Sequence, residues 1–172
     1  MIPELHTGRL LLRGHRPDDF ADCFAMWSDP AVTRFIGGRP FTEEEVWARF
    51  LRYAGHWHVL GFGFWVVEEC STGRFAGEVG FANLKRDIQP SLDEYPELGW
   101  VLASEFHGRG YATEAVSAAL DWGRVNLPAK TTACIIHPAN AASLRVAEKC
   151  GFRKRCDAVY KGHSTVMFTR EL

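Results

Sequence analysis

The segment from Glu97 to Asn126 constrains the fold of this chain more than any other. It runs from an apolar stretch of β character, Glu97 to Ala103, through His107-Gly108-Arg109-Gly110 into a helical pattern from Thr113 to Asn126. In that helix Ala115, Val116, Ala119, Leu120 and Trp122 fall mostly on one side. A strand, a glycine turn and a helix in succession predict an α/β architecture. Gly108 and Gly110 lack Cβ atoms, so the backbone there is free to turn tightly and approach a ligand closely. The first amides of the helix have no intrahelical partner, and its dipole places partial positive charge at the same end. Such a turn is ready to receive a phosphate, and His107 and Arg109 add charge. Taken alone, a plain tight turn explains a Gly-x-Gly equally well.

Two familiar phosphate motifs are disfavoured. A P-loop needs G-x-x-x-x-G-K-[ST], which is absent. A dinucleotide-binding turn wants a third Gly or Ala and an acid ~20 residues on. Thr113 and Lys130 stand at those places.

The rest of the chain fits the same class. Thr7 to Arg13, with Leu10-Leu11-Leu12, reads as a first strand. Pro17-Asp18-Asp19 opens a helix, and Phe20, Cys23, Phe24 and Trp27 give it one buried face until Asp29-Pro30 ends it. Thr42-Glu43-Glu44-Glu45 is a capping box. It precedes a stripe of Val46, Phe50, Tyr53 and Trp57, with Gly55 as a weak point. Strands follow over 62–69, 75–84 and 97–103, the first two joined by a turn at Ser71-Thr72-Gly73. Residues 85–96 form a polar loop. After the helix, Thr131 to Ile136 is a strand. Asn140 is an N-cap for a helix through Cys150, and Gly151 suits the left-handed position beyond it. Ser164 to Thr169 is a last strand. The order is β-α-α-β-β-β-α-β-α-β, in one domain over 1–172.

Composition narrows the function classes. The 172 residues carry a net charge of -1, which gives no clustered basic footprint for nucleic acid but leaves room for a local basic patch. No apolar run reaches the roughly 18 residues that span a bilayer. The N-terminus has no charged-then-apolar leader pattern, so a cytoplasmic protein is expected. Five cysteines without a C-x-x-C predict buried thiols rather than disulfides or a zinc site, and none has an activating neighbour. His56 and His58 are expected as surface polar positions rather than metal ligands.

In order, Glu97-Leu98-Gly99-Trp100-Val101-Leu102, His107-Gly108-Arg109-Gly110-Tyr111-Ala112-Thr113-Glu114-Ala115, Asn140-Ala141-Ala142-Ser143 and Glu148-Lys149-Cys150-Gly151-Phe152 resemble the GNAT superfamily of N-acetyltransferases. The start, Thr7-Gly8-Arg9-Leu10-Leu11-Leu12-Arg13 with Arg16-Pro17-Asp18-Asp19, is similar to the branch containing the ribosomal-protein N-terminal alanine and serine acetyltransferases. The resemblance covers nearly the whole chain. It implies an α/β (α+β) fold with a mixed, mostly antiparallel central sheet flanked by helices. It also implies acetyl-CoA as donor, no metal, and a primary amine as acceptor, either a protein N-terminus or a small molecule. Neither nucleic acid nor membrane is an expected partner. Homodimers are common in the branch.

Residue by residue, the pyrophosphate loop of that family matches His107, Gly108, Arg109, Gly110, Tyr111 and Ala112, with Thr113 following. His107 departs from the usual Gln or Arg. The resemblance places Val101 and Leu102 beside the pantetheine arm through backbone groups, with an amide near Leu102 for the thioester oxyanion. Ser143 matches the position some relatives use as the acid near sulfur; a purely local role in the helix's first turn is the alternative. Asn140 is a cofactor contact or an N-cap alone. Glu97 is a base acting through water, or a salt-bridged strand residue. Glu114 reads as a dipole partner and Tyr111 as core packing. The acceptor pocket is expected between the first two helices and the 85–96 loop, lined by Phe35, Trp57, Trp65 and Trp100. A non-catalytic acyl-CoA-binding domain would keep the glycine loop and lose the roles of Glu97 and Ser143.

Overall fold

The computed structural model describes residues 1–172. Its centre is a nine-stranded sheet in the order β1-β2-β3-β4-β6-β7-β9-β8-β5. The strands are β1 (Leu5–His6), β2 (Leu10–Arg13), β3 (Phe64–Glu69), β4 (Arg74–Ala82), β5 (Ile88–Gln89), β6 (Glu97–Leu102), β7 (Thr131–Ile136), β8 (Arg153–Tyr160) and β9 (His163–Glu171). The helices are α1 (Phe20–Trp27), α2 (Pro30–Thr33), α3 (Glu43–Leu60), α4 (Tyr111–Asn126) and α5 (Ala141–Lys149). Every strand pair is antiparallel except β6 with β7. The expected mixed, mostly antiparallel sheet flanked by helices is therefore present.

Local chemistry explains most boundaries. At the start of α3, Thr42 Oγ1 accepts from the Glu45 amide at 3.3 Å, and Glu45 Oε2 accepts from the Thr42 amide at 2.8 Å. Gly61 closes the helix in the left-handed conformation. Asn140 Oδ1 accepts from the Ser143 amide at 3.1 Å and starts α5. The helix after the glycine turn begins at Tyr111 rather than Thr113, with Gly110 as N-cap.

Four elements lie outside the expected order: β1, the single turn α2, the short β5 inside the 85–96 loop, and β8. The first strand is shorter than expected, because Thr7 to Arg9 form the turn into β2. β8 carries Arg153-Lys154-Arg155-Cys156-Asp157, almost all exposed. It pairs with β9 on one side and meets only Ile88 and Gln89 on the other.

Two of the four apolar clusters, the two largest, dominate the packing against the sheet. The larger packs α4 against β2, β3, β4 and β6 through Leu10, Trp65, Val79, Phe81, Val116 and Ala119. The smaller packs α1 and α3 over the opposite face through Cys23, Met26, Trp27, Val46 and Phe50. Trp57 and Trp65 belong to the larger core, each edge-on to Trp122 with ring centroids 5.5 and 5.1 Å away. His56 corrects the expectation of a surface position: it is buried, with Nδ1 2.8 Å from the Arg52 carbonyl and Nε2 3.2 Å from the Asn83 carbonyl. His58 is exposed. Cys23, Cys134 and Cys150 are buried as expected, while Cys70 is exposed and Cys156 half-buried.

Buried polar groups fix α1 to the sheet. Glu78 on β4 is 1% exposed. Its Oε2 accepts from Trp27 Nε1 at 2.9 Å, and its Oε1 lies 2.8 Å from His15 Nε2. Arg13 donates to both oxygens of Asp19 at 2.8 Å and to Glu68 Oε2 at 2.7 Å. Burial pushes the Asp19 carboxyl up, but the Arg13 guanidinium and the Arg16 amide outweigh it and hold it below the ordinary carboxylate range. A depressed folded-state value stabilises the protein above the unfolded pKa, and that stability is lost as pH falls through the folded value. Arg13→Met is expected to cost about 3–5 kcal/mol at neutral pH, because Asp19 keeps its burial and loses its main partner. With the guanidinium gone and the Arg16 amide left, the acid-side loss is expected to shrink. Urea unfolding of both proteins across the acid range checks this; parallel pH curves would contradict it.

Candidate functional site

The site begins where the sheet stops being continuous. β6 pairs with β4 along its whole length, from Glu97 opposite Ala82 to Leu102 opposite Gly77. β7 pairs along its whole length with β9. Between them, β6 and β7 share only the pair Glu97–Ala133. The Ala133 amide and Thr132 Oγ1 both donate to the Pro96 carbonyl, at 3.2 and 2.7 Å. Past this clasp the strands separate, and a cleft of about 440 Å³ opens, lined by Gly99, Trp100, Val101 and Ile136 and continuing to His137, Asn140 and Ser143.

The register decides which backbone groups face the gap. The Ala103 amide donates to Ala76 at 3.0 Å. Antiparallel alternation then turns the backbone of Val101 toward β4, and that of Trp100 and Leu102 toward the gap. The expected backbone role of Val101 is corrected on this ground, although Val101 still lines the cleft. Leu102 faces the gap with its amide. Its carbonyl is taken by His107 Nε2 at 2.9 Å, which must donate because a carbonyl only accepts. The atypical His107 thus braces the end of β6 from within.

The loop after β6 has two glycines in the left-handed region, Gly108 at φ 75° and Gly110 at φ 79°. No protein atom accepts from the amides of Gly108, Arg109, Gly110, Tyr111, Ala112 or Thr113. Such a run of free donors on a helix N-terminus is an anion cradle. Its shape is held from β2. Arg9 Nη1 donates to the Arg109 carbonyl at 2.9 Å, and Arg9 Nε donates to Glu114 Oε2 at 2.7 Å. Glu114 Oε1 also accepts from the Arg9 amide at 2.9 Å and from Thr7 Oγ1 at 2.6 Å. Burial raises the Glu114 carboxyl, but these donors outweigh it and leave it below its ordinary value.

Two residues of the loop point away from the cradle. Tyr111 donates its hydroxyl to Glu69, which raises the tyrosine, and Arg109 lies 3.5 Å from the same carboxylate. Glu69 is held below its ordinary value by the Thr72 and Tyr111 hydroxyls. Tyr111 therefore has the packing role expected of it. Thr7, Arg9 and Glu69 are not among the expected site residues.

Beyond the gap, Ser143 lines the cleft and its hydroxyl makes no hydrogen bond within the protein. The Asn140 side-chain oxygen is occupied as an N-cap. Glu97 is 8% exposed and forked by Arg86, whose Nε and Nη2 donate at 2.7 and 2.8 Å. Glu97 is also the only carboxylate lining the cleft. Cys134 lines the cleft too, but burial pushes its thiol well up, away from nucleophilic chemistry. The outer part of the cleft is walled by α3, by residues 34–38 and by Arg86 from the 85–96 loop. Phe35 and Trp100 line it as expected. Trp57 and Trp65 do not, because both are committed to the core on the α4 face.

The comparisons with known proteins agree with this geometry. Residues 9–153 match the acetyltransferase (GNAT) domain, and the chain belongs to that family. YkkB of Bacillus subtilis, described as an uncharacterized protein, is 31% identical over 150 residues, covering 86% of this chain and 84% of YkkB. The uncharacterized N-acetyltransferase YoaA of the same organism is 27% identical, covering 90% of this chain and 85% of YoaA. An acetyltransferase of Agrobacterium tumefaciens superposes with a TM-score of 0.86 at 29% identity, covering 100% of this chain and 96% of that one. RimL, a ribosomal L7/L12 alpha-N-protein acetyltransferase solved in complex with coenzyme A, superposes with a TM-score of 0.79. At 15% identity, over 99% of this chain and 98% of RimL, it shares the fold.

The loop geometry has a direct cost to test. A Cβ on Gly110 would meet only Arg9 Nη2, at 3.5 Å, so space is not the obstacle. The positive φ is. Gly110→Ala is expected to lower unfolding free energy by about 1–2 kcal/mol, the cost of a left-handed L-residue, whereas Gly55→Ala in α3 is expected to raise it by roughly 0.5–1 kcal/mol. Paired urea titrations measure both. An unchanged Gly110→Ala protein would mean that the turn relaxes without its glycine.

Proposed function

We propose that this protein is an acetyl-CoA-dependent N-acetyltransferase acting on a primary amine. The observation that carries the reading is the run of free amides from Gly108 to Thr113, set at the mouth of the β6–β7 gap. That run suits a pyrophosphate: its donors face no protein acceptor, and the nearby carboxylates Glu69 and Glu114 are already engaged. The free amides at Trp100 and Leu102 suit the amide-bearing pantetheine arm, which would lie along the strand in place of a neighbour. His107 braces the end of β6 on one wall, and Asn140 caps α5 beyond the other.

Acetyl-CoA supplies an activated thioester carbon that an amine attacks directly, so no residue has to carry the acetyl group. The Leu102 amide is the donor for negative charge developing on the carbonyl oxygen. Ser143 Oγ, free and facing the cleft, gives a proton to the departing sulfur. Glu97, the carboxylate of the cleft with Arg86 fixing its position, takes the amine's proton along a chain of waters, because about 17 Å of strand separates it from Leu102.

Calorimetric titration with acetyl-CoA is the primary test, and the expected result is one site per chain. Gly110→Val is expected to abolish that binding, because a side chain would stand between the amides and a phosphate. Binding unchanged in this variant would remove the loop from the site, and absence of binding to the unaltered chain would sink the proposal. For the chemical step, Ser143→Ala is expected to lower kcat by about 10²-fold with little change in KM for acetyl-CoA. If Ser143→Ala and Glu97→Gln both leave turnover intact in a thiol-release assay over an amine panel, neither residue is the acid or the base.

A further inference from the structure

The outer end of the cleft carries an excess of positive charge that nothing in the chain answers. Arg34, Arg49, Arg52, Arg86 and Lys161 line it, against the single carboxylate Glu97, which Arg86 already occupies. No carboxylate lies within ion-pair distance of the other four. The chain as a whole has a net charge of -1, so this excess is local.

Arg49 and Arg52 are the sharpest part of it. They stand one turn apart on α3, so their side chains share a face. The Arg49 guanidinium lies over the Trp27 ring at 4.0 Å and the Phe41 ring at 5.0 Å, and its Nη1 donates to Tyr53 Oη at 3.1 Å. Its Nε is buried with no hydrogen-bond partner. A buried charged donor left unanswered is unfavourable until an acceptor arrives. The Arg52 guanidinium is held below its ordinary value by desolvation, then by the Arg49 charge. Arg86 stands well away from the pyrophosphate loop. Arg86 meets β6 at its first residue, and the glycine loop follows its last; five residue steps of strand put about 17 Å between the two ends.

We propose that this end of the cleft binds the acceptor through carboxylate groups close to its reactive amine, with Arg49 and Arg52 holding the anion. The inference rests on the acetyltransferase reading and narrows its acceptor. The same charges serve the chemistry. Cations beside an ammonium group favour its neutral form, so a bound amine loses its proton more readily and becomes a nucleophile. Polycationic amines would meet repulsion with no carboxylate left to offset it.

The test is steady-state thiol release with acetyl-CoA and matched acceptors: glutamate against glutamine amide, a Ser-Glu-Glu peptide against Ser-Gln-Gln amide, and spermidine. We expect at least one acidic acceptor to exceed its neutral partner in kcat/KM by about tenfold or more, and to exceed spermidine by at least as much. Preference within the first pair assigns the carboxylates to a small amino acid, and within the second to a peptide N-terminus. Arg52 is exposed, so Arg52→Gln is expected to fold normally, raise KM for the acidic acceptor about tenfold and leave KM for acetyl-CoA unchanged. Arg52→Glu is expected to reverse the preference, and Arg49→Lys to retain part of it. Equal or lower kcat/KM for both acidic acceptors, or a preference that survives Arg52→Glu, overturns the inference. An acetyl-CoA titration separates the two readings. Binding without acidic preference defeats this inference alone, whereas no binding defeats the acetyltransferase reading as well.

Discussion

The structure depends on one interruption: β6 and β7 are neighbours in a parallel arrangement yet share a single residue pair, Glu97 with Ala133. A strand that leaves its neighbour exposes amides and carbonyls that must find other partners or a ligand. Each strand is secured on its other side, β6 by β4 and β7 by β9, so the gap does not close by letting either drift. The Pro96 carbonyl, which accepts from both Ala133 and Thr132, ends the shared pairing. The candidate site lies along the opening that results. Glu97 is at its hinge, Trp100 and Leu102 are on one wall, Ile136 is on the other, and the glycine loop and Ser143 are at its far end.

An anion cradle made of backbone amides needs its shape fixed by something other than its ligand. In this chain the restraint comes from the far edge of the fold. Arg9, at the entry to β2, holds the Arg109 carbonyl and the Glu114 carboxylate at once, and Thr7 adds a third contact to Glu114. Glu69 on β3 takes Tyr111 and faces Arg109. Both carboxylates beside the cradle are therefore engaged by side chains, which leaves the positive end of α4 unopposed. A carboxylate free to turn toward those amides would compete with any phosphate.

The parts of this arrangement that are local in sequence are legible in it. The Thr42–Glu45 capping box, the Asn140 cap, the glycine turn and the apolar face of α4 each follow from residues within a few positions of one another. What is not legible joins distant residues. Arg9 and Glu114 are 105 positions apart, and no pattern around either announces the pair. β8 escapes a reading by pattern because its charged residues do not alternate with apolar ones; it is defined by its partner β9 rather than by a buried face. Trp57 and Trp65 depart from expectation for a related reason. An aromatic stripe shows that a face is buried, and it does not say which of two cores buries it. The spacing of His56 to His58 suggests a surface position, whereas the burial of His56 comes from the Val46, Phe50 and Tyr53 face that it extends. Val101 differs because the side of a strand on which backbone groups point depends on register, which only the paired strand sets.

Charge then organises the cleft from end to end. At one end is the dipole of α4 with its free amides, and at the other are Arg49 and Arg52, which have no ionic partner. Both ends are positive. The one carboxylate of the cleft, Glu97, is matched by Arg86, so it adds no net field of its own. A cleft built this way favours anionic groups at its two extremes and uncharged groups at its centre. A thioester and an unprotonated amine are uncharged. The positive surroundings that would anchor a phosphorylated donor and an acidic acceptor are the same ones that disfavour an ammonium group where the two must meet. Deprotonation of the amine then leans less on a strong base, which fits a cleft whose only carboxylate is tied to an arginine.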